Sequence, residues 1–378
     1  MKLRLAIVSE TTIGGVRKHV VSVSRFLNRE RFEVTVITPE ARRGYCGEVD
    51  LQDELRENGV PSIVVPMVRN PSLWKDAGSF RRLRKLLARR NFDVVHAHGS
   101  KAGFLARFIC RSKESPACLY SPHVFAFQRA GPRKAGLYLK GEQIASRWNS
   151  RFVVNSEYEK EIALRHKLVE PEKLFVVPNA IELPPKMTWN NRTRIRESIG
   201  APPDAVVFVT IGRLVTYKGH ETLIRAFADV ITEFPEAELW IVGEGEEEKN
   251  LRRLAANLHI ASSVRFPGYR KDVFEILDAA DCFVLASQIE GSPYTVLEAL
   301  GAEKPVIATS VPGIIEMLSE ADQARLVKWN DRNGLASKMR EFLDARFPAT
   351  SRSKLPQQWF DVRAQLSRLE EIYEEAVT

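Results

Sequence analysis

The chain has 378 residues and a formal net charge of +8, with 44% hydrophobic and 28% charged residues. That composition belongs to a globular protein long enough for two domains, and excludes a disordered or fibrous chain. No stretch approaches 18 consecutive apolar residues, so no membrane-spanning helix is expected. The positive excess gathers in RRLRKLLARR (81–90) and at Arg129, Arg133, Lys134, Lys140 and Arg147. Such faces suit phosphate-bearing partners: nucleotides, anionic lipid surfaces or nucleic acid. Cys46, Cys110, Cys118 and Cys282 form no CxxC pair, which fits a reducing, cytoplasmic compartment.

Short β-branched runs alternate with amphipathic patterns from the start. LRLAIVS (3–9) reads as a strand rather than a signal peptide, and GGVRKHVVSVSRFLNR (14–29) as a helix. Strands follow at 32–38, 62–67 and 92–99, with helices at 51–59, 79–91 and 101–111. Prolines cluster at 176–191, and the alternation then restarts. Strands are expected at 205–212, 238–245, 264–268, 282–287 and 305–309, with helices at 221–234, 248–258, 272–280 and 296–303. Strand–helix alternation means βαβ units and parallel sheets. The expected organisation is an α/β domain over 1–184, a second over 185–350, and a closing helix in 351–378, read over 356–377.

Parallel sheets carry ligands at the carboxyl ends of their strands. Arg213 and Lys218 in IGRLVTYKG (211–219) follow the first strand of the second domain, where two cations face either solvent or an anion. In IEGSPYTVLEAL (289–300), a helix is expected to start near Ser292–Thr295, and its first N–H groups suit phosphate. Glu290 precedes this turn. Glu298 lies about one turn inside the helix, where a carboxylate can accept from a ribose diol. Each of these residues taken singly is as well explained as a solvated surface group. Together they describe a nucleoside diphosphate site.

These stretches resemble the retaining glycosyltransferases of the GT-B fold, glycosyltransferase family 4. The E-x7-E motif stands as Glu290 to Glu298, the Arg-x4-Lys pair as Arg213 and Lys218, and the Gly-Gly loop as Gly14-Gly15 with His19 after it. PNAIE (178–182), GEGEE (243–247) and VPGIIE (311–316) extend the likeness over nearly the whole chain. The resemblance implies two Rossmann-like domains facing a deep cleft, with the closing helix crossing back to the first. It implies that Arg213 and Lys218 neutralise the donor diphosphate, Glu298 holds the ribose, and Glu290 lies at the transferred sugar. The main chain over Gly291, Ser292, Pro293, Tyr294, Thr295 and Val296 would meet the pyrophosphate. Gly268, Tyr269 and Arg270 would border the base, and Gly15 would let the first-domain loop approach the diphosphate. The loop after Glu290 departs from the commoner Gly-Phe-Gly, which leaves the donor sugar open.

By the same resemblance, His123 in LYSPHVFAF (119–127) lies beside the donor sugar and shields the developing oxocarbenium ion, although a lone histidine is more often structural. In HAHGSKAG (96–103), His96 and His98 share a strand face as zinc ligands would. No third ligand is evident, so no metal is expected. The resemblance instead puts His98 and Lys101, with Gly14, His19 and His123, on the acceptor side, Lys101 near an acceptor phosphate.

No D-x-D triplet is present, so metal-independent turnover without any cofactor is expected. The acceptor is a glycan or a lipid diphosphate, the donor a nucleotide-sugar, with UDP the expected base. The segment 127–148 mixes Phe127, Leu137, Tyr138, Leu139 and Trp148 with five cations. It suits an anionic bilayer, on the inner face of the cytoplasmic membrane, as well as an ordinary solvated face. A same-fold sugar phosphorylase or nucleotide-sugar epimerase is the alternative. Nucleic-acid binding, suggested by the basic pI, lacks an aromatic–basic stretch to support it.

Overall fold

The computed structural model describes residues 1–40, 51–67, 73–184, 189–318, 325–345, 347 and 355–378. Cys46 and part of the expected linker lie outside them. The chain forms two compact units, one ending at Asn179 and resuming at Asp361–Thr378, the other spanning Ala180–Phe360.

The first unit is built on β1 (Leu3–Ser9), α1 (Gly14–Phe26), β2 (Phe32–Thr38), α2 (Leu51–Glu57), β3 (Ser62–Val64), α3 (Leu73–Arg90), β4 (Val94–His98), α4 (Ser100–Ile109) and β5 (Ala117–Ser121). Then come α5 (Ala126–Arg129), α6 (Pro132–Ala145), β6 (Arg151–Val154), α7 (Glu157–Arg165) and β7 (Leu174–Val176). The sheet is parallel, in the order β3-β2-β1-β4-β5-β6-β7. Helices cover both faces of such a sheet, so central strands read as continuous apolar runs. Accordingly, Leu5, Ala6, Ile7 and Val8 of β1 are all fully buried. On α3, Leu83 and Leu87 turn inward while the arginines stay exposed.

The second unit contains α8 (Trp189–Ile199), β8 (Val206–Ile211), α9 (His220–Ile231), β9 (Ala237–Val242), α10 (Glu248–Asn257), β10 (Val264–Gly268), α11 (Val273–Ala279) and β11 (Cys282–Leu285). It continues through α12 (Tyr294–Gly301), β12 (Val306–Thr309), α13 (Pro312–Ile315), β13 (Leu326–Val327) and α14 (Arg332–Ala345). Its parallel sheet runs β10-β9-β8-β11-β12-β13. On α9, Leu223, Ile224, Phe227 and Val230 recur at helical spacing and are fully buried against the sheet.

The units divide at Asn179/Ala180, five residues before the expected boundary, because Ile181 joins the second core and its N–H donates to Trp359 O at 2.9 Å. The expected helix over 356–377 is two pieces. Gln357–Phe360 is a tight 3-10 turn whose Trp359 and Phe360 pack on the second core. Asp361 then accepts from Ala364 N and starts α15 (Val362–Glu375), which belongs to the first unit. There Leu366, Leu369, Ile372 and Tyr373 are buried.

Counted from its own first strand, each sheet begins in the order 3-2-1-4-5. The direction of winding reverses between β1 and β4 in the first unit and between β8 and β11 in the second. In doubly wound sheets, ligands bind where the loops leaving neighbouring strands diverge at such a reversal, beyond the carboxyl ends.

Candidate active site

In the second unit the switch point gathers most of the residues expected at a diphosphate. Arg213 follows β8, and Lys218 closes a 3-10 turn over Thr216–Lys218. Gly219 comes next at φ +70°, where a Cβ would stand 2.0 Å from Ala286 O. Only glycine lets this turn press on the chain leaving β11. Gln288 N donates to Tyr217 O at 2.8 Å and ties the two loops together. Lys218 Nζ then meets Glu290 Oε1 at 2.6 Å, with both side chains little exposed. Arg213 donates through Nη2 to the Tyr217 hydroxyl. Thus Lys218, expected at the diphosphate, and Glu290, expected at the transferred sugar, here neutralise each other.

Gly291, Ser292 and Pro293 lead into α12, with Pro293 at the N-cap and Tyr294, Thr295 and Val296 in the first turn. The expected helix start is therefore found within a residue or two. No side chain caps that end. Glu298, 3% exposed, sits one turn in, beside Tyr294, whose phenol burial pushes up. The Glu290 loop is propped from below: a Cβ on Gly313, in the VPGIIE stretch, would stand 1.9 Å from Gly291 O.

Gly268, at φ +74°, ends β10 and accepts from Gly243 N at 2.8 Å. A Cβ on Gly243 would stand 2.0 Å from Gly212 O, so the exits of β8, β9 and β10 lie side by side. Tyr269 and Arg270 follow. The Arg270 guanidinium is held by Asp272, with Nε to Oδ1 at 2.8 Å, and that pairing keeps the Asp272 carboxyl below its usual range.

In the first unit four of the chain's seven histidines meet. Gly14, at φ +69°, and Gly15 open α1, which carries the buried His19. His98 ends β4, and His123 follows β5 at φ +49°. Ring centroids of His19, His98 and His123 are 5.0–5.2 Å apart, and His96 lies 4.1 Å from His98. Burial keeps all four neutral: it lowers His19 to about 4 and His96 to about 3, and holds His98 and His123 well below the usual value.

The hydrogen bonds fix two of the tautomers. Ser121 donates its only hydroxyl proton to Val153 O, so His96 Nε2 must donate to Ser121 and His96 Nδ1 must accept from Tyr373. Asn155 Nδ2 donates to Asn179 Oδ1, so His19 Nδ1 carries the proton that meets the same oxygen. His98 Nδ1 and His123 Nε2 share a hydrogen bond of 2.9 Å.

Lys101 opens α4, but its Nζ pairs with Asp76 at 2.8 Å. Its N–H and that of Ala102 donate to the Glu10 carboxylate. An acceptor phosphate at Lys101, as expected from the sequence, would have to displace two carboxylates already in place.

Sequence reading missed Glu10, His96 as a buried brace, Asn155, Tyr217 and Glu159, which accepts from Val124 N and Asn155 N to hold the His123 loop. Asn179, within PNAIE, was the one with a signal. The expectation that the H-x-H pair lacks a third partner is corrected: His19 and His123 arrive from α1 and the β5 loop, and it is His96 whose nitrogens are both committed.

Two Rossmann-like parallel-sheet units, each with its own switch point, are the architecture of the GT-B fold. The glycosyl transferases group 1 model matches residues 191–359, and the glycosyltransferase family 4 model matches residues 13–183. The chain belongs to this family of glycosyltransferases. It is 29% identical over 325 residues to the UDP-Gal:alpha-D-GlcNAc-diphosphoundecaprenol alpha-1,3-galactosyltransferase of Escherichia coli, covering 84% of this chain and 82% of that one. EpsD of Bacillus subtilis, a putative glycosyltransferase, is 28% identical over 282 residues, 73% of this chain and 74% of its own. The fold matches Anabaena HepE, solved with UDP and glucose, at TM-score 0.82 and 19% identity, covering 99% of this chain and 100% of that chain.

Proposed function

We propose that the chain moves a hexosyl or N-acetylhexosaminyl group from a UDP-sugar to a glycan or lipid-diphosphate acceptor, with retention of anomeric configuration, in cell-surface polysaccharide or glycoconjugate synthesis. The observation that carries this reading is the Lys218–Glu290 pair at the second switch point, with Arg213 close by and the start of α12 following the loop. As the bond from the anomeric carbon to the phosphate breaks, its electron pair passes to the diphosphate. Lys218, Arg213 and the α12 N–H groups are assigned to that charge. Glu290, released from Lys218, is assigned to the sugar hydroxyls and Glu298 to the ribose. His123 is assigned to a sugar hydroxyl and to shielding the oxocarbenium ion, and His19 and His98 to the acceptor. With two cations and a helix terminus on the diphosphate, no metal is required for turnover. The names of the E. coli galactosyltransferase and of the HepE complex support a UDP donor and a lipid-linked acceptor.

A screen of UDP-, GDP- and ADP-sugars in EDTA tests this. A UDP-sugar at about 100 times its Kd is expected to add roughly 2.7 kcal/mol of stability, and NMR of the product to show a retained anomeric configuration. No shift with any nucleotide would overturn the donor reading. Loss of turnover in EDTA, restored by Mg²⁺, would overturn the metal-independent step.

Attachment to an anionic membrane is part of the same proposal. On α6, only Glu142 and Ala145 are buried, while Leu137 and Ile144 stand out among lysines and arginines. The nearby α4 presents Phe104, packed edge-on against Trp148. Among the described residues no helix is long and apolar enough to cross a membrane. Co-sedimentation with anionic but not neutral liposomes is expected; equal, negligible recovery with both would remove this part.

A further inference from the structure

We propose that His19, His98 and His123 form a binding site for a borderline transition-metal cation of the Zn²⁺ type, held by three imidazoles with one position open. One ring nitrogen from each lies within 4.8 Å of the other two. Around a tetrahedral zinc with Zn–N near 2.1 Å, nitrogens stand about 3.4 Å apart, so the rings need close by only about an ångström. Imidazole donors select Zn²⁺, Cu²⁺ or Ni²⁺ over Mg²⁺ and Ca²⁺, which require oxygen.

Two observations point to a ligand rather than to packing alone. His98 Nε2 is buried and meets no hydrogen-bond partner. An orphaned buried N–H is rarer than an orphaned acceptor, so the favoured proton position is His98 Nδ1, donating to His123 Nε2 and leaving a lone pair on His98 Nε2; the ion takes the place of this hydrogen bond at His123 Nε2. His19 has its proton on Nδ1, donated to Asn179 Oδ1, so Nε2 is its unprotonated nitrogen. That pattern, one nitrogen unprotonated and the other donating to a carbonyl-type oxygen, is how metal-bound histidines are oriented. His96 is excluded by its two committed nitrogens. The opposing influence is Arg129, whose guanidinium donates to the main-chain oxygens of His123 and Val124 and brings one positive charge near the site.

The metal is not a requirement of the transfer. Occupying the same imidazoles that the proposed function assigns to acceptor and sugar, it acts as an inhibitor; only this second consequence rests on that reading.

The test is titration of untagged protein with ZnCl₂ by calorimetry, and with CoCl₂ by visible absorption, without any substrate. One equivalent is expected for the wild type and for His259→Asn, a control at an exposed histidine already in the left-handed region. Affinity is expected to fall at least about tenfold in His123→Ala, the most accessible of the three, and in His98→Ala, with circular dichroism verifying the fold. Absence of stoichiometric binding by the wild type overturns the site, as does unchanged binding by His123→Ala. Zn²⁺ is then expected to suppress nucleotide-sugar turnover and EDTA to restore it. Turnover unaffected at full occupancy overturns the inhibition. One equivalent of Zn²⁺ bound by a protein that turns over no nucleotide-sugar leaves the site standing and removes the functional reading.

Discussion

Lys218→Ala is expected to lower kcat by about 10²–10³-fold, the loss seen when one preorganised donor to a developing oxyanion is removed. Arg213→Ala is expected to behave similarly, since its guanidinium is held by the Tyr217 hydroxyl, next to Lys218 in the chain. The two differ in what they leave behind. Lys218 is the partner of Glu290, and both side chains are little exposed. Alanine at 218 therefore strands a carboxylate, and a stability loss on the order of 1–3 kcal/mol is expected. The double variant Lys218→Ala/Glu290→Gln removes the stranded charge. It should recover stability while leaving turnover as low as the single variant or lower. Steady-state kinetics beside denaturant melts check both halves. Near-normal turnover by Lys218→Ala and Arg213→Ala alike would show that neither acts on the leaving group.

The second large effect is on stability. Four histidines of the first unit are buried neutral, with His19 lowered to about 4, His96 to about 3, and His98 and His123 well down. In the unfolded chain they titrate near 6.5. Between those values the unfolded state binds protons that the folded state does not, so stability is complete above pH 6.5 and falls as pH drops toward 4. Each such histidine contributes a slope of up to about 1.4 kcal/mol per pH unit. His220 in the second unit, lowered to about 4 by burial, adds one more. Depressed carboxyls such as Asp272 act only below about pH 4, so the interval from 6.5 to 5 belongs to the histidines, opposed by the carboxyl of Glu10, which burial pushes up. Denaturant midpoints are expected to drop steeply across it, with proton uptake on unfolding. Equal midpoints at pH 7 and pH 5 would mean that the cluster already carries protons in the folded protein.

How far the sequence could be read differs between the two units. In the second, the residues expected at a diphosphate lie on loops after β8 and β11, each loop recognisable where an apolar run ends. The doubly wound order then brings them together. In the first, the histidines come from α1, from the end of β4 and from beyond β5. Nothing local in HAHGSKAG announces partners 79 residues upstream of His98 and 25 downstream. The strands within 149–176 escape a sequence reading because β6 and β7 are four and three residues long, too short for a period. α6 hides as well: the residues it buries include a glutamate, Glu142, matched by Arg107 at 2.5 Å and Tyr120 at 2.9 Å. The tail was read as one helix because the apolar residues on both sides of Asp361 fit a common pattern. What breaks it is that one side serves the second core and the other the first.

That break has a bearing on how the chain is made. His96 reaches its brace, Tyr373, across 277 residues of sequence, at 2.8 Å. During synthesis the first unit emerges early, yet the hydroxyl that completes its histidine layer leaves the ribosome only after all of the second unit. Until then the first sheet waits with the seat of α15 uncovered and His96 Nδ1 without its donor. The second unit, contiguous from Ala180 to Phe360, has no such delay. The later half of the chain can therefore close before the earlier half is finished, and the last turns of α15 act as the latch of a domain begun at residue 3.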